Sequence, residues 1–391
     1  MESEEKEFHV PATPEKIAQQ KEMFKNRLSK EYRILRKWAR KNRITCYRLY
    51  DRDIPEIPLA LDLYTFLPPE CDDKLSAILT VNEQNAAISR NDATSAIVLQ
   101  EELSRTYLHL YLYERLYEKP EKEEEEWLSH MAEAAAETLG IQKDHVITKT
   151  RKRLSGTEEG RREQYEKQES EKSIEGTVLE QGQIFKVNLS DYIDTGLFFD
   201  HRPLRDKIRQ ISQGKSVLNL FCYTGSFSVY AAEGKARRVE SVDMSRTYIE
   251  WAEENFRMNG FLDSERYIFT RQDAVGFLNQ KNAEVANKEG TNRFDIIILD
   301  PPTFSNSKRT DTTLDINRDW PVLVEKCLSI LNPHGTLYFS TNSRRLAFKE
   351  DQLPLSEDGT ALYKAEDISA ETIPQDYRNQ KIHRAWKIKK I

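Results

Sequence analysis

Residues 294–304 read FDIIILDPPTF, a nearly continuous run of large apolar residues that stops at two prolines. Such a run is typical of a central strand in a parallel sheet, because helices cover both faces of that strand. Proline cannot donate a hydrogen bond to a neighbouring strand, so the strand should end at Asp300-Pro301-Pro302. The stretch therefore predicts a buried strand with a rigid turn at its carboxyl end.

Shorter apolar segments around this strand alternate with helical patterns, which indicates a parallel sheet with helices on both faces. Large residues from Tyr248 to Phe256 recur at helical spacing, and Gly260 follows where a C-terminal cap is expected. The second half of the chain is thus predicted to be a doubly wound α/β domain. Its other predicted strands cover residues 216–221, 239–242, 267–270 and 336–340.

The first half of the chain has a different pattern. Large residues from Phe24 to Trp38 at helical spacing predict a helix with an apolar stripe facing the core. Apolar and β-branched segments separated by proline-rich turns predict three strands, at residues 45–50, 60–64 and 76–81. Residues 155–173 are highly charged and read as an exposed linker. We therefore expect an acidic leader over residues 1–20, an α+β domain over 21–175 and the α/β domain over 176–391.

Composition excludes several classes of protein. The chain of 391 residues is 38% hydrophobic and 32% charged, and no apolar run approaches the roughly 20 residues that span a bilayer. Its amino terminus lacks the basic and apolar segments of a secretory signal. Because no Cys-x-x-Cys pair occurs, we expect no metal site and a cytoplasmic location, with the cysteines packed as small core residues. The four cysteines are Cys46, Cys71, Cys222 and Cys327.

Charge is distributed unevenly, although the net charge is only −6. Basic residues concentrate between Lys21 and Arg52, between Lys149 and Arg153, and near the carboxyl terminus, whereas residues 121–126 are mostly glutamate. A single basic cluster is usually the solvated face of a helix. Three clusters together predict binding to a polyanion, because electrostatic attraction acts locally and not through the net charge.

Ligands of doubly wound sheets bind beyond the carboxyl ends of the strands, so the residues found there are informative. The first strand closes with a turn, residues 219–225, that contains one glycine; a dinucleotide needs several, whereas S-adenosylmethionine has no phosphate to accommodate. Asp243 and Asp273 end the next two strands and are placed to accept hydrogen bonds from a ribose diol and an adenine amine. Each could instead cap a helix, and for Asp273 that alternative is equally good.

The turn after the central strand is suited to a flat base. Asp300, Pro301 and Pro302 could fix the edge of a base against a rigid backbone, and Phe304 could stack on it. Stacking of a base on an aromatic ring contributes roughly 1–3 kcal/mol, which helps to offset the cost of extruding a nucleotide. The pattern of strand ends therefore predicts an S-adenosylmethionine site beside a slot for a nucleobase.

Several stretches resemble the RlmK family, which makes 7-methylguanosine in bacterial large-subunit ribosomal RNA. They read DTGLFFDHR at 194–202, NLFCYTG at 219–225, VDMSRTY at 242–248 and DPPTFSNSKR at 300–309. The resemblance covers nearly the whole chain from Phe24. It implies a class I methyltransferase fold, Rossmann-like with a mainly parallel seven-stranded sheet, after a smaller α+β domain that binds RNA. Many bacteria carry the family as the C-terminal half of a fused K/L enzyme, so both a free-standing enzyme and one half of a fused protein are open.

The resemblance implies a role for each of the following residues. We expect a catalytic role for Asp300, Pro301 and Pro302, with Asp200 and Arg202 binding the two ends of the methionine moiety and His201 packing. The expected cofactor contacts are Asp200, Arg202, Asn219, Phe221, Tyr223, Gly225, Asp243, Met244, Asp273, Ala274 and Asp300. The expected substrate contacts are Thr303, Phe304, Asn306, Lys308 and Arg309. The implied cofactor is S-adenosylmethionine and the implied partner is 23S ribosomal RNA before its full assembly.

The residues available for catalysis also restrict which atom can be methylated, and this argument does not depend on the resemblance. Methylation of pyrimidine C5 requires a cysteine thiolate, and neither Cys222, in the cofactor loop, nor Cys327, in a helical pattern, is suitably placed. Guanine N7 keeps an exposed lone pair and needs only alignment with the methyl group. We therefore expect a guanine-N7 methyltransferase. The alternatives are another target, such as cytosine C5 or guanine N2, and a non-catalytic ribosomal RNA assembly factor.

Overall fold

The computed structural model describes residues 13–113, 120–151, 173–287, 293–305 and 314–391. These residues form two compact units, one up to Thr195 and one from Gly196. Most of the predicted leader and nearly all of the predicted linker lie outside the described residues. No helix in the described ranges is both long enough and apolar enough to cross a membrane.

The first unit contains a four-stranded sheet of order β1-β2-β3-β4, in which only the β3–β4 pair is parallel. Helices α1 and α4 pack together, and their apolar faces share a core with the sheet. The elements are α1 (Pro14–Lys41), β1 (Cys46–Asp51), β2 (Leu59–Thr65), α2 (Lys74–Ser89), α3 (Ala93–Ser104), β3 (Thr106–Tyr113), α4 (Glu121–Leu139), β4 (Val146–Arg151), β5 (Glu175–Glu180) and β6 (Gln183–Asn188).

The long first helix begins at Pro14, within the leader predicted over residues 1–20, and buries the predicted stripe. The Thr13 hydroxyl accepts a hydrogen bond from the Lys16 amide, and Pro14 occupies the first turn, where its missing amide hydrogen costs nothing. Phe24 and Leu28 are fully buried against the sheet, which confirms the core-facing role of the stripe.

The predicted strand at residues 76–81 is wrong, because this segment lies inside helix α2. The Asp73 carboxylate accepts hydrogen bonds from the amides of Leu75 and Ser76, at 2.6 and 3.0 Å, and the Ser76 hydroxyl bonds back to Asp73. This reciprocal capping box initiates a helix. The apolar run that follows therefore continues as a helix, despite its β-branched residues.

The β5–β6 hairpin belongs to the first unit, although it follows the domain limit that we predict at residue 175. The amides of Thr45 and Leu67 donate hydrogen bonds to the carbonyls of Leu179 and Thr177 on this hairpin, at 2.8 Å each. These backbone bonds attach the hairpin to the residue before β1 and to the segment that follows β2. The division into a 21–175 and a 176–391 domain stays a prediction.

Part of the predicted basic segment is paired with acidic side chains of the same unit. Arg48 and Asp62 form a buried, two-point ion pair at 2.7 and 2.9 Å. These pairs reduce the positive charge available to a polyanion, and binding of a polyanion stays a prediction. The other pairs are Lys21–Glu133, Lys25–Glu137, Arg27–Asp53 and Arg40–Glu102.

The second unit is a seven-stranded sheet of order β14-β15-β13-β10-β7-β8-β9, and all neighbouring pairs are parallel except those made by β15. This confirms the predicted mainly parallel sheet. The elements are α5 (Arg202–Ile211), β7 (Ser216–Leu220), α6 (Ser226–Glu233), β8 (Arg238–Asp243), α7 (Arg246–Met258), β9 (Tyr267–Arg271), α8 (Ala274–Ala286), β10 (Phe294–Leu299), β11 (Phe304–Ser305), β12 (Leu314–Asp315), α9 (Ile316–Ser329), β13 (Leu331–Thr341), β14 (Tyr363–Asp367), α10 (Ser369–Thr372) and β15 (Arg384–Lys390).

The central strand is buried as predicted, with Ile297, Ile298 and Leu299 completely shielded from solvent. Leu299 pairs with Leu220 of β7, which in turn pairs with Val242 of β8, so the three strands end at one level of the sheet. Their carboxyl ends thus form a common rim. All four cysteines are buried free thiols, which confirms their prediction as core residues.

Candidate active site

The loop after β7 has an unusual backbone. Phe221, Tyr223 and Gly225 have φ values of +54°, +51° and +75°, and the first two are not glycine. Side chains with a Cβ atom rarely adopt this left-handed region, so each such residue stores strain that the surrounding structure must balance. Strained backbone of this kind concentrates at ligand-binding sites, and this loop is one of the predicted cofactor contacts.

Neighbouring elements hold the strained loop from two sides. The Thr224 hydroxyl donates to the Gly196 carbonyl at 2.6 Å, and the Asn255 amide of α7 donates to the Thr224 carbonyl at 2.8 Å. A Cβ atom on Gly225 would lie 2.8 Å from the Cβ atom of Ala252. Glycine is therefore required both by the conformation and by the close approach of the helix.

The predicted cofactor residue Asn219 lies beneath this loop and is buried. Its side-chain amide donates to the Ser228 hydroxyl of α6 at 2.9 Å, and the hydroxyl of Ser241 donates to the same oxygen at 2.8 Å. This network joins β7, β8 and α6 under the rim. Contact between Asn219 and a cofactor stays a prediction.

Asp243 connects the loop to the next strand end. Its carboxylate accepts hydrogen bonds from the amides of Tyr223 and Ser245, at 3.1 and 2.9 Å. Burial raises the pKa of Asp243 to about 6, although these backbone donors oppose the shift. Each carboxylate oxygen has a second lone pair, so Asp243 can accept further hydrogen bonds from a diol.

Aromatic and apolar side chains lie beside this carboxylate. The rings of Phe198 and Tyr223 are 5.2 Å apart, and the Tyr248 ring contacts Tyr223 edge-on at 4.6 Å. Phe198 is 43% exposed and Met244 is 36% exposed, which is unusual for large apolar residues. Such a surface suits the flat adenine ring and the methionine chain of the predicted cofactor. Our residue-based prediction missed Phe198, whose signal is its place beside Asp200 in the DTGLFFDHR stretch.

Asp273, which follows the end of β9, is the N-cap of helix α8. Its carboxylate accepts a hydrogen bond from the Gly276 amide at 2.8 Å, and Ala274 begins the helix in a buried position. The capping alternative therefore accounts for one of its oxygens. Contacts of Asp273 and Ala274 with an adenine ring stay predictions.

The turn after the central strand is braced by the end of β13. Asp300 accepts a hydrogen bond from the Ser340 hydroxyl at 2.6 Å, and the Thr303 hydroxyl donates to the Asn342 side chain at 3.0 Å. Pro301 is buried and Pro302 is half-buried between these points. Ser340 and Asn342 were missed because they lie about 40 residues from the prolines in the chain and only the sheet brings them together.

Phe304, the last described substrate candidate in this turn, is 45% exposed, as a ring that stacks on a base would be. The remaining substrate candidates, Asn306, Lys308 and Arg309, lie outside the described residues. The proposed contacts of all these residues with RNA are therefore predictions.

A cluster of one carboxylate, Asp200, and two imidazoles lies next to Asp300. The Asp200 carboxylate is 3.1 Å from Nδ1 of His383 and 3.4 Å from Nδ1 of His201, and Nε2 of His201 is 3.6 Å from Asp300. The two imidazole rings stack at 4.4 Å. Burial opposes ionisation of Asp200, but the charge of His201 holds the pKa of Asp200 well below its usual range.

Two expected methionine contacts have other partners in the structure. Arg202 is 1% exposed, and its guanidinium donates to the buried Asp376 carboxylate at 2.8 Å. Asp200 is engaged by the two histidines. We expected Arg202 to bind the methionine moiety of the cofactor, whereas in the structure it binds the carboxylate of Asp376. The cofactor roles of Arg202 and Asp200 thus stay predictions that require a rearrangement of these pairs.

The predicted residues at the rim are brought together by the sheet register. Phe221, Asp243 and Asp300 each follow directly after one of the three paired residues Leu220, Val242 and Leu299. A half-buried acceptor carboxylate, a strained loop and exposed apolar rings therefore share one edge of the sheet. This combination fits an adenosyl group, which presents a diol, a flat base and no phosphate.

Comparison with known proteins agrees with this interpretation. A family model described as S-adenosylmethionine-dependent methyltransferase matches residues 94–353. Ribosomal RNA large subunit methyltransferase K of Neisseria meningitidis serogroup B is 39% identical over 94% of this chain and 86% of its own length. Ribosomal RNA large subunit methyltransferase K/L of Pseudomonas aeruginosa is 38% identical over 97% of this chain, which spans only 44% of that longer protein.

Solved structures confirm the fold. SMU.776, described as a methyltransferase complexed with SAH, has a TM-score of 0.60 at 18% identity, over 95% of this chain and 82% of its own. A SAM-dependent methyltransferase from Streptococcus mutans gives a TM-score of 0.61 at 19% identity, over 95% and 81% of the two chains. The match to the family model and the similarity to the Neisseria relative are decisive, and the chain belongs to the S-adenosylmethionine-dependent methyltransferases of the ribosomal RNA large subunit methyltransferase K family.

Proposed function

We propose that this chain transfers a methyl group from S-adenosylmethionine to N7 of a guanine in 23S ribosomal RNA, and that it acts before the large subunit is fully assembled. The names of its relatives support large-subunit ribosomal RNA as the substrate class. The atom and the stage of assembly rest on the chemistry of the site and on the resemblance described above.

Within this proposal, different residues of the rim bind the cofactor and the purine. Asp243 would accept hydrogen bonds from the ribose diol, and the apolar surface at Tyr223 and Phe198 would contact the rest of the cofactor. When bound, S-adenosylmethionine supplies an electrophilic methyl group. Asp300 and the prolines would fix the edge of the purine, while Phe304 would stack on its face. Since N7 attacks through its own lone pair, these residues need only align the reactants and exclude water.

The cysteines disfavour the principal alternative target. Attack on cytosine C6 requires a thiolate, but burial raises the pKa of Cys222 well above its usual value, as it does for Cys327. Cys222 also lies close to the carboxylate of Asp243, which opposes a second negative charge. The observation that carries the proposal is therefore the shared rim of Asp243 and Asp300 without a reactive thiol among the described residues.

Labelled cofactor and protein-free 23S ribosomal RNA provide the test. We expect transfer of label and 7-methylguanosine in the digested nucleosides, detected by mass spectrometry. Phe304→Ala should lower turnover and leave cofactor affinity unchanged, whereas Asp243→Ala should weaken cofactor binding. Exposed His334, in the first half of β13, offers a matched control as His334→Gln.

Other products would decide between the alternatives. 5-Methylcytidine or N2-methylguanosine would overturn the N7 assignment and keep the methyltransferase. RNA binding without transfer of label would instead favour a non-catalytic assembly factor. Comparable turnover on complete large subunits would contradict action before assembly.

A further inference from the structure

His201 is buried between two carboxylates, with Nδ1 facing Asp200 and Nε2 facing Asp300. A neutral imidazole has one N–H group and one lone pair, so one of its nitrogens would direct a lone pair at a carboxylate oxygen. Only the imidazolium ion presents a hydrogen to both sides. The distances of 3.4 and 3.6 Å are those of ion pairs, and such contacts often shorten when a substrate binds.

We infer that His201 is a positioning residue. It stays protonated between Asp200 and Asp300 and so fixes the orientation of the Asp300 carboxylate at the rim of the sheet. This inference rests on the proposed function in one respect, namely that Asp300 contacts the base. It replaces the packing role that we expect from the sequence. The charge of His201 also neutralises part of the negative charge that buried Asp200 and half-buried Asp300 would otherwise place side by side.

The charges around His201 favour this protonation state. Burial and the nearby Arg205 guanidinium oppose a positive charge, but Asp300 and Asp200 outweigh them and raise the pKa of His201 to about 9. The Phe227 ring of α6 contacts the imidazole edge-on at 5.7 Å and adds no charge. His383, from the segment before β15, also faces His201, with the two rings 4.4 Å apart.

His383 complements this arrangement as the neutral member of the stacked pair. Burial, followed by the charge of His201, lowers the pKa of His383. We assign the proton of its Nδ1 to the hydrogen bond with Asp200, at 3.1 Å, while its Nε2 lies 2.9 Å from the Thr372 hydroxyl. The single positive charge of the stacked pair is therefore on the ring that faces both carboxylates.

Two histidines and an aspartate could also bind a metal ion, but the ring geometry disfavours it. Their potential donor atoms lie within 4.8 Å of one another. The imidazole planes, however, are only 16° from parallel. Metal ions bind along the in-plane lone pair of each ring, and lone pairs of stacked parallel rings do not converge on one point.

Loss of the proton should affect Asp300 more than the cofactor. With His201 neutral, Asp300 keeps the hydrogen bond from Ser340 but loses its counter-charge, so its carboxylate can turn away from the base. Binding of the cofactor depends mainly on Asp243 and the loop after β7. A positioning role thus predicts a change in kcat and its pH dependence, with little change in cofactor affinity.

The direct test is nuclear magnetic resonance of the full chain labelled with 15N in its histidines. We expect the His201 ring to titrate near pH 9 in the wild type and at least one pH unit lower in Asp300→Asn. His201→Gln identifies the signal, and His334→Gln should leave it unchanged. Titration near 6.5, or no response to Asp300→Asn, would overturn the inference. Because no RNA is needed, this result stands or falls separately from the proposed reaction.

Turnover on ribosomal RNA gives the second readout. We expect wild-type kcat to fall above pH 9, whereas His201→Gln should have a kcat about tenfold lower at neutral pH, no such decline, and a cofactor Kd within about threefold of wild type. The same decline in His201→Gln would contradict the role. Stoichiometric zinc in the purified protein would also overturn it in favour of a metal site. If His201→Gln does not fold, the titration in Asp300→Asn still decides the question.

Discussion

The carboxylate of Asp243 should make cofactor binding dependent on pH in a way that can be calculated. The diol donates its hydrogens, so binding favours the ionised carboxylate. With a pKa of about 6, this group is about 97% ionised at pH 7.5 and about 9% ionised at pH 5.0. Linkage of proton and cofactor binding then predicts a Kd about tenfold higher at pH 5.0.

Asp243→Asn separates this effect from other titrations. The amide keeps the size of the side chain and one acceptor but loses the charge, so cofactor affinity at pH 7.5 should fall by about ten- to one-hundredfold, corresponding to about 1.5–3 kcal/mol for hydrogen bonds to a charged group. The amino group of the cofactor titrates with both proteins and cancels in the ratio of their Kd values.

Isothermal titration calorimetry between pH 5.0 and 7.5 is the suitable assay. The Kd ratio between wild type and Asp243→Asn should shrink steadily as the pH decreases, because the wild type loses the charge that the variant never had. A constant ratio over this range would show that Asp243 does not exchange a proton on binding. Equal affinities at pH 7.5 would remove Asp243 from the site altogether.

Three further substitutions test other parts of the structure by urea denaturation. Gly225→Ala forces a Cβ atom to within 2.8 Å of Ala252 at a φ of +75°, and should cost about 2–4 kcal/mol; an unchanged midpoint would contradict the close approach. Arg202→Met removes the buried ion pair between Arg202 and Asp376 and should cost about 3–5 kcal/mol, most of which Asp376→Leu in the same chain should restore. The pKa of His201 is raised from 6.5 to about 9, so the stability that its charge contributes is complete below pH 6.5 and disappears as the pH rises through 9. Over this range, the difference in unfolding free energy between wild type and His201→Gln should shrink by up to about 3 kcal/mol. A difference that stays constant would refute the assignment.

The parallel sheet was predictable because its strands are buried on both faces, and such strands read as apolar runs like that from Phe294 to Leu299. The rim was predictable for a related reason: residues that directly follow paired strands, such as Asp243 and Asp300, must lie at one edge. The same local reasoning failed at residues 76–81. There, the capping box of Asp73 and Ser76 initiates a helix, although the β-branched residues that follow it favour a strand.

Partners far apart in the chain could not be inferred from sequence alone. Ser340 braces Asp300, and His383 contacts Asp200 across about 180 residues, and only the sheet order brings each pair together. The buried partner of Arg202 is a similar case, since Asp376 stands in a segment without a recognisable motif. A sequence pattern identifies which residue types occupy a site more readily than which of them neutralise one another.

Strand β15 is the last of the seven to be synthesised, yet it lies between β13 and β14 in the sheet. A chain that emerges from the ribosome amino end first must therefore leave a gap beside β13 until residues 384–390 arrive. His383 immediately precedes this strand and enters the protein interior with it. Between the synthesis of residues 225 and 383, the nascent chain thus contains the loop after β7 but lacks one member of the stacked imidazole pair, so maturation of this site is coupled to the final step of sheet assembly.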